Sequence, residues 1–538
     1  MHIDPNSILD SLPLFGAYAE FHYRFKYFPF SRYFKKEPEI YFDAPWRINP
    51  NTLLPLFLLI KDAHEFPIRL KNLEIKVYDE TAQEILSNKI QLDKTIDTKW
   101  HFAHWDLNLD YVGSVFIHTT LEIEIQGKTK IIKTDNLRGS SKVPLKTYLA
   151  AEPFPALNGW LYGDVHLHTW HTTDQVEFGA PGAMTMQAAK ALGLDFLTPS
   201  DHSYDLDDEL DNFLINDPDL KKWQLSRKEF RDLDGSHPDF SVIGSEEITV
   251  RNHKNKNIHF LHFNDDVFFH GAGDGAEKWF KTWSENDIYS VLKNRSQQTI
   301  SVAAHIGDKP GFLEKILFNR GSWESQDIQN YALDGVQVLN GDPRHPNFVI
   351  AMKLWVAALL KGYKLGIYGG SDAHGNFNRY RQIYIPQLLV KESPNQCLGL
   401  ARTLVHAKSN SKSDIIEGMK AKATAITTGP IGDMNVTDSD GHSTKIGETL
   451  RMTGDLSLHI FGQSSTEFGK KMKWFLYGGD GVGEYVVKEG LATETINVLW
   501  TIKDTKRLRY LRLEIHSKGN TVPGVYVSTP IWIESNES

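Results

Sequence analysis

A single cysteine, Cys397, stands in 538 residues. That excludes an internal disulfide and any zinc site built from several thiolates. Long apolar runs are missing too. The longest, LLPLFLLI at 53–60, contains Pro55 and falls far short of the roughly 20 residues that span a bilayer, so no membrane partner is expected. Positive charge is not in excess either. The 59 basic and 68 acidic residues leave a net charge of −9, which gives no electrostatic ground for a nucleic-acid partner. The opening MHIDPNSILDSLPLF has no basic segment followed by an apolar core and a small-residue cleavage site, so it does not read as a signal peptide. The expectation is a soluble, cytoplasmic protein. Its length exceeds the roughly 250–300 residues at which one core stops growing, so two or three domains are expected.

What is present divides the chain into three. Residues 1–150 read as a β-sandwich-like domain, with strand-like pieces between turn residues and an apolar/acidic alternation at 121–125. The aromatic and basic stretch EFHYRFKYFPFSRYFKK at 20–36 reads as a strand and loop packing its rings on a neighbouring domain. Residues 155–435 alternate strand and helix. GAMTMQAAKALG puts Met184, Ala188, Ala191 and Leu192 on one helical face, with Pro181 before it and Gly193 closing it. HPNFVIAMKLWVAALLKG is a second helix, closed by Gly362. Such alternation argues for parallel strands with crossover helices. The fold class expected is α/β, a distorted seven-stranded (β/α) barrel flanked by N-terminal and C-terminal all-β sandwich domains. Residues 436–538 return to β character and form the second sandwich.

Seven apolar runs in the middle third carry the chemistry. They are YGDVHLHTWHTTD (162–174), DFLTPSDH (195–202), SVIGSEEIT (241–249), NIHFLHF (257–263), SVAAHIGD (301–308), GVQVLNG (335–341) and KLGIYGGSDAH (364–374). Six of the seven carry His, Asp or Glu at or near the end. A strand that packs a core and presents a ligand at its end is what a metal site at a barrel mouth needs. His166 and His168 are two apart on a strand and face one side. Asp174 follows in the next loop, with His171 as its competitor. Glu246 and Glu247 point to opposite faces, so one of the two enters a site. His259 and His262 differ in parity in the same way. His202, His305, Asp372 and His374 complete the candidates.

The order HxH, SDH, Glu, His, His and GSDAH resembles the PHP (polymerase and histidinol phosphatase) metallohydrolases. AKATAITTGP at 421–430 and the closing STPIWIE are similar to its carbaryl-hydrolase-like branch. The resemblance implies up to three divalent ions. One would take His166, His168, Glu247 and Asp372; a second Glu247, His259 and His305; a third Asp174, His202 and His374. It also favours Glu247 over Glu246, from the pattern Glu247-Ile248-Thr249. On the sixth run the family often carries a non-ligand Glu where this chain has Gln337.

All these donors are nitrogen or oxygen, which suits Zn, Mn or Fe. A water shared by two such ions loses a proton near neutral pH and becomes a nucleophile. The cations would attract a small-molecule anionic substrate, so the expected activity is a phosphoesterase with a metal-bridging hydroxide. Glu247, Asp372 and Asp201 are its candidate catalytic residues, Asp201 by orienting an imidazole. Arg251, His253, Lys309, Arg344 and Arg379 are the candidate substrate contacts. The alternatives are a carbamate, ester or amide hydrolase on the same ions, with Trp170 lining a neutral pocket, and a non-catalytic binding or assembly module. An amidohydrolase would need a metal-bridging lysine on the fourth run, and NIHFLHF has none.

Overall fold

The computed structural model describes residues 36–137, 140–172, 179–210, 212–271, 283–385, 389–393, 395–503, 505, 507–519 and 522–535. Asp174 and residues 20–35 of the aromatic and basic stretch lie outside them. The described chain is 45% strand and 16% helix. It divides into two compact units.

The first unit comprises Met1–Pro153, His168–Gly193 and Ala373–Leu398. Its described part holds a three-stranded and a six-stranded sheet that share one apolar core. The run LLPLFLLI lies in the strand Leu54–Lys61, buried along its whole length. Antiparallel partners flank it on both edges, Glu39–Asp43 and Trp100–Leu107. A strand covered on both faces reads as a continuous apolar run. The strand Gly113–Ile125 instead alternates: Leu121 and Ile123 are buried, while Glu122 and Glu124 are partly exposed. Helix Gly182–Leu192 begins after Pro181 and ends at Gly193, whose φ of 79° is left-handed. Glycine reaches that conformation without a Cβ clash.

The second unit comprises Phe154–Leu167, Leu194–Asp372 and Gly399–Ser538. Here the expected seven-stranded (β/α) barrel does not form, because the ligand-bearing runs fall in two sheets. Trp160–His168, Phe196–Pro199 and Ser241–Val242 belong to a twelve-stranded sheet, which continues through Arg402–His406 and Thr424–Thr427 into the C-terminal strands. Ser245–Arg251, Asn257–Phe263, Ile300–Ala303, Gly335–Asn340 and Gly366–Gly370 form a separate five-stranded sheet. Its first two pairings are antiparallel and only the last two parallel. The physical reason lies in the connections. Residues 252–256 alone join Ser245–Arg251 to Asn257–Phe263, whereas a parallel crossover takes a dozen or more residues. A hairpin is the only connection that short link allows. The C-terminal strands are not a separate third body either. Tyr510, Val525, Val527 and Trp532 share one core cluster with Val336, Trp355 and Ile367. No described helix is long and apolar enough to cross a membrane.

Candidate metal centre

Strand alternation decides which side chains of the hairpin meet. Thr249 pairs with His259 and Glu247 with Leu261, so Glu247 and His259 are diagonal neighbours on one face. The opposite face takes the others. Glu246 turns to the helix Lys221–Ser236, where its Oε1 accepts from Arg227 at 2.8 Å and from Trp223 Nε1 at 3.2 Å. His262 lies 3.2 Å from Asp265 and 3.1 Å from Ser301 Oγ. The adjacent carboxylates therefore part company: one enters a buried ion pair and the other a ring of imidazoles.

That ring is the centre of the site. Glu247 Oε1 lies 2.7 Å from His259 Nδ1, 3.1 Å from His305 Nε2 and 3.4 Å from His166 Nε2. Its Oε2 lies 3.0 Å from His202 Nδ1. His166 Nε2 is also 3.3 Å from Asp372 Oδ1. Six side chains from the ends of separate runs thus converge within the second unit. Burial pushes the Glu247 carboxyl up, but the His259 and His166 rings outweigh it and hold it well below the usual carboxylate range. Burial likewise disfavours a charged His305, yet Asp308 and Glu247 prevail and raise its pKa well above the ordinary imidazole value. His166 is raised in the same way, by Asp372 and Glu247 against burial.

Two of the six residues sit on strained backbone. His305 has φ 28° and Asp372 φ 55°, a region that costs a non-glycine residue about 1–3 kcal/mol. Both are held by other groups. Asp372 N–H donates to His166 O at 2.7 Å. The buried Asp164 accepts from the N–H groups of Ser371 at 3.0 Å and Gly399 at 2.9 Å, and so pins the turn before Asp372. Burial raises the Asp164 pKa against these hydrogen bonds. Gly370 lets the two strands approach: a Cβ there would lie 2.5 Å from His166 Cβ and 2.8 Å from its N. Gly370→Ala is therefore expected to displace His166 and to weaken divalent-metal binding by about 10–100-fold, the range for residues that support ligands. Metal titration of the folded variant checks it, and unchanged affinity would contradict it.

The donor set fits a divalent cation. His305 is held between two carboxylates, Asp308 Oδ2 at 3.1 Å from Nδ1 and Glu247 at Nε2. A ring placed in this way hands one nitrogen to a metal while a carboxylate orients the other. The described donors are imidazole and carboxylate alone, so Zn, Mn or Fe suits them.

The remaining sequence candidates have further described neighbours. His168 and His374 belong to the first unit, where their rings stack at 4.0 Å. His171 is also there, 3.2 Å from Trp170 Nε1. Asp201 is buried, and its carbonyl accepts from Glu247 N–H at 3.1 Å. Arg251 lies 3.9 Å from Asp287. His253 Nδ1 is 2.8 Å from the buried Asp327. Arg344 folds back onto Asp342 through its Nε at 2.9 and 3.0 Å. Arg379 pairs with Glu392 at 3.2 Å in the first unit. Lys309 is exposed. A cation that touches the ring is one the sequence did not single out: Arg320, whose guanidinium contacts His259 Nε2. Its place after the helix Phe312–Leu317 carries no strand-end pattern.

No family model matches the chain, and no curated protein matches it. Solved structures align with it weakly. A β-glucuronidase of Parabacteroides merdae with glycerol in its active site is 10% identical over 93% of this chain, with a TM-score of 0.17. The β-D-mannosidase of Dictyoglomus thermophilum is 9% identical, over 92% of this chain and 67% of its own, with a TM-score of 0.23. The chain spans 64% of the length of the first of these. Similarity at this level carries no inference about activity.

Proposed function

We propose that the chain is a metal-dependent hydrolase of small anionic esters, with phosphoesters as its substrates. The observation that carries this reading is the buried Glu247 carboxylate ringed by His166, His202, His259 and His305, with Asp372 at its edge. The order of these residues along the chain resembles the PHP metallohydrolases. From that resemblance we take the reaction class and not the barrel. Bound divalent ions would supply Lewis acidity, which makes water acidic and polarises the ester. The protein's own part is positional. Glu247, His259 and His305 hold one side of the centre, and His166 and Asp372 the other. Asp372 Oδ2 accepts from the Asn340 amide at 3.2 Å, which leaves Oδ1 to face the centre. Arg320 supplies a fixed positive charge beside His259 for a non-bridging oxygen of the substrate.

The proposal is tested by a screen with p-nitrophenyl phosphate, bis-p-nitrophenyl phosphate and naphthyl carbamates on metal-loaded protein. Phosphoester turnover is expected; turnover confined to the carbamates would overturn the substrate class. Arg320→Ala, assayed at saturating metal, is expected to lower kcat/KM for the phosphoester by about 10–100-fold, as loss of a charge-assisted hydrogen bond of about 1.5–3 kcal/mol does. Equal kcat/KM would remove Arg320 from substrate binding.

A further inference from the structure

One amide beside the centre determines which nitrogen of a ligand faces it. Gln337 is fully buried in the strand Gly335–Asn340. Its Oε1 lies 3.0 Å from the backbone N–H of His305 and 2.8 Å from His166 Nδ1. A backbone N–H only donates, so the group facing it is the amide oxygen and not the amide nitrogen. The nitrogen end agrees: Gln337 Nε2 donates to Asn340 Oδ1 at 3.2 Å, and Asn340 Nδ2 donates to Asp372 Oδ2 at 3.2 Å. An amide oxygen only accepts, so His166 carries its proton on Nδ1. Nε2 then points at Glu247 Oε1, 3.4 Å away, and at Asp372 Oδ1, 3.3 Å away. In a neutral ring that is a lone pair facing two carboxylate oxygens. The three repel one another unless a proton or a metal cation lies among them, so the pocket is shaped for a positive charge.

We propose that Gln337 is a positioning residue. It holds His166 in the Nδ1–H form and, through Asn340, couples that ring to Asp372, so that Nε2 and Oδ1 face one divalent cation together. The same oxygen anchors the left-handed backbone of His305, so one side chain registers three ligands. A neutral amide suits this task because it cannot take the Nδ1 proton, whereas a carboxylate could. The inference rests on the metal centre proposed above.

The test uses the full chain, stripped with chelator and titrated with Co2+, read by d–d absorption and calorimetry. Gln337→Leu removes the acceptor. It is expected to weaken Co2+ binding by about 10–100-fold and to change the d–d band positions. Gln337→Glu keeps an acceptor toward His166 and His305 but has no donor for Asn340 and can take the Nδ1 proton, so a smaller loss of affinity than in Gln337→Leu is expected, with shifted bands. Asn340→Ala leaves Gln337 in place but releases Asp372, and a several-fold loss with a smaller band shift is expected. Wild-type affinity and spectrum in both Gln337→Leu and Asn340→Ala would overturn the inference. Should circular dichroism show Gln337→Leu unfolded, Asn340→Ala decides alone: a shifted spectrum supports the coupling and an unchanged one overturns it. Wild-type protein that binds no Co2+ overturns the metal centre itself and this inference with it. Binding by wild type with unchanged variants overturns this inference only.

Discussion

Glu247→Gln is expected to empty the centre of metal and to take turnover to background. The carboxylate is the one group that all four imidazoles face. An amide brings no charge, and its nitrogen has no lone pair to offer a cation. Residues that only support ligands cost about 10–100-fold in metal affinity, so loss of the shared ligand is expected to exceed 100-fold. The metal-free fold suffers as well. His166 and His305 have raised pKa values partly because Glu247 is there. Breaking a buried ion pair from one side costs about 3–5 kcal/mol. Glu247→Asp keeps the charge at a shorter reach and is expected to fall between the two. Metal content by elemental analysis, with circular dichroism to confirm folding, checks this. Full metal content in folded Glu247→Gln would contradict it.

The second large effect is expected one residue away, on the other face of the strand. Arg227→Met leaves the buried Glu246 with the Trp223 Nε1–H still donating to its Oε1. Burial already pushes the Glu246 carboxyl up to about 7, because it outweighs the opposing pull of Arg227 and Trp223. The sign of the pH dependence follows. The unfolded carboxyl titrates near 4.5 and the folded one near 7. Between those values the native state holds a proton that the unfolded chain has released, so stability falls as pH rises through this window. Removing Arg227 pushes the folded value higher and extends the fall above pH 7. Loss of about 3–5 kcal/mol is therefore expected at pH 8, and a clearly smaller loss at pH 5, where the carboxyl is protonated. Urea unfolding at the two pH values measures it. Equal losses at both would show that Arg227 contributes packing alone, including its contact with the Trp223 ring at 5.6 Å.

These two neighbours also mark how far the sequence could be read. Alternation in a strand shows that Glu246 and Glu247 face opposite ways. Which of them enters a site depends on Arg227, which reaches Glu246 from a separate helix, and no local pattern carries that contact. His259 and His262 were separable by parity in the same way, and Asp265 accounts for the second. The sequence pattern points to a barrel for a legible reason. The link at 252–256 is too short for a crossover helix, but the apolar runs on either side look alike whether they pair parallel or antiparallel. The role of Gln337 also lay beyond sequence: an amide on an apolar run shows its use only once His166, His305 and Asn340 surround it. Asp164 and Arg320 were missed because each acts on residues distant in the chain.

The most direct measurement is the divalent-metal content per chain of the wild-type protein, purified without added metal and compared with Glu247→Gln under identical handling. A stoichiometric transition metal in the wild type, lost in the variant, is the expected result. Wild-type protein with no bound metal, and none taken up from Zn, Mn or Fe, would contradict the account.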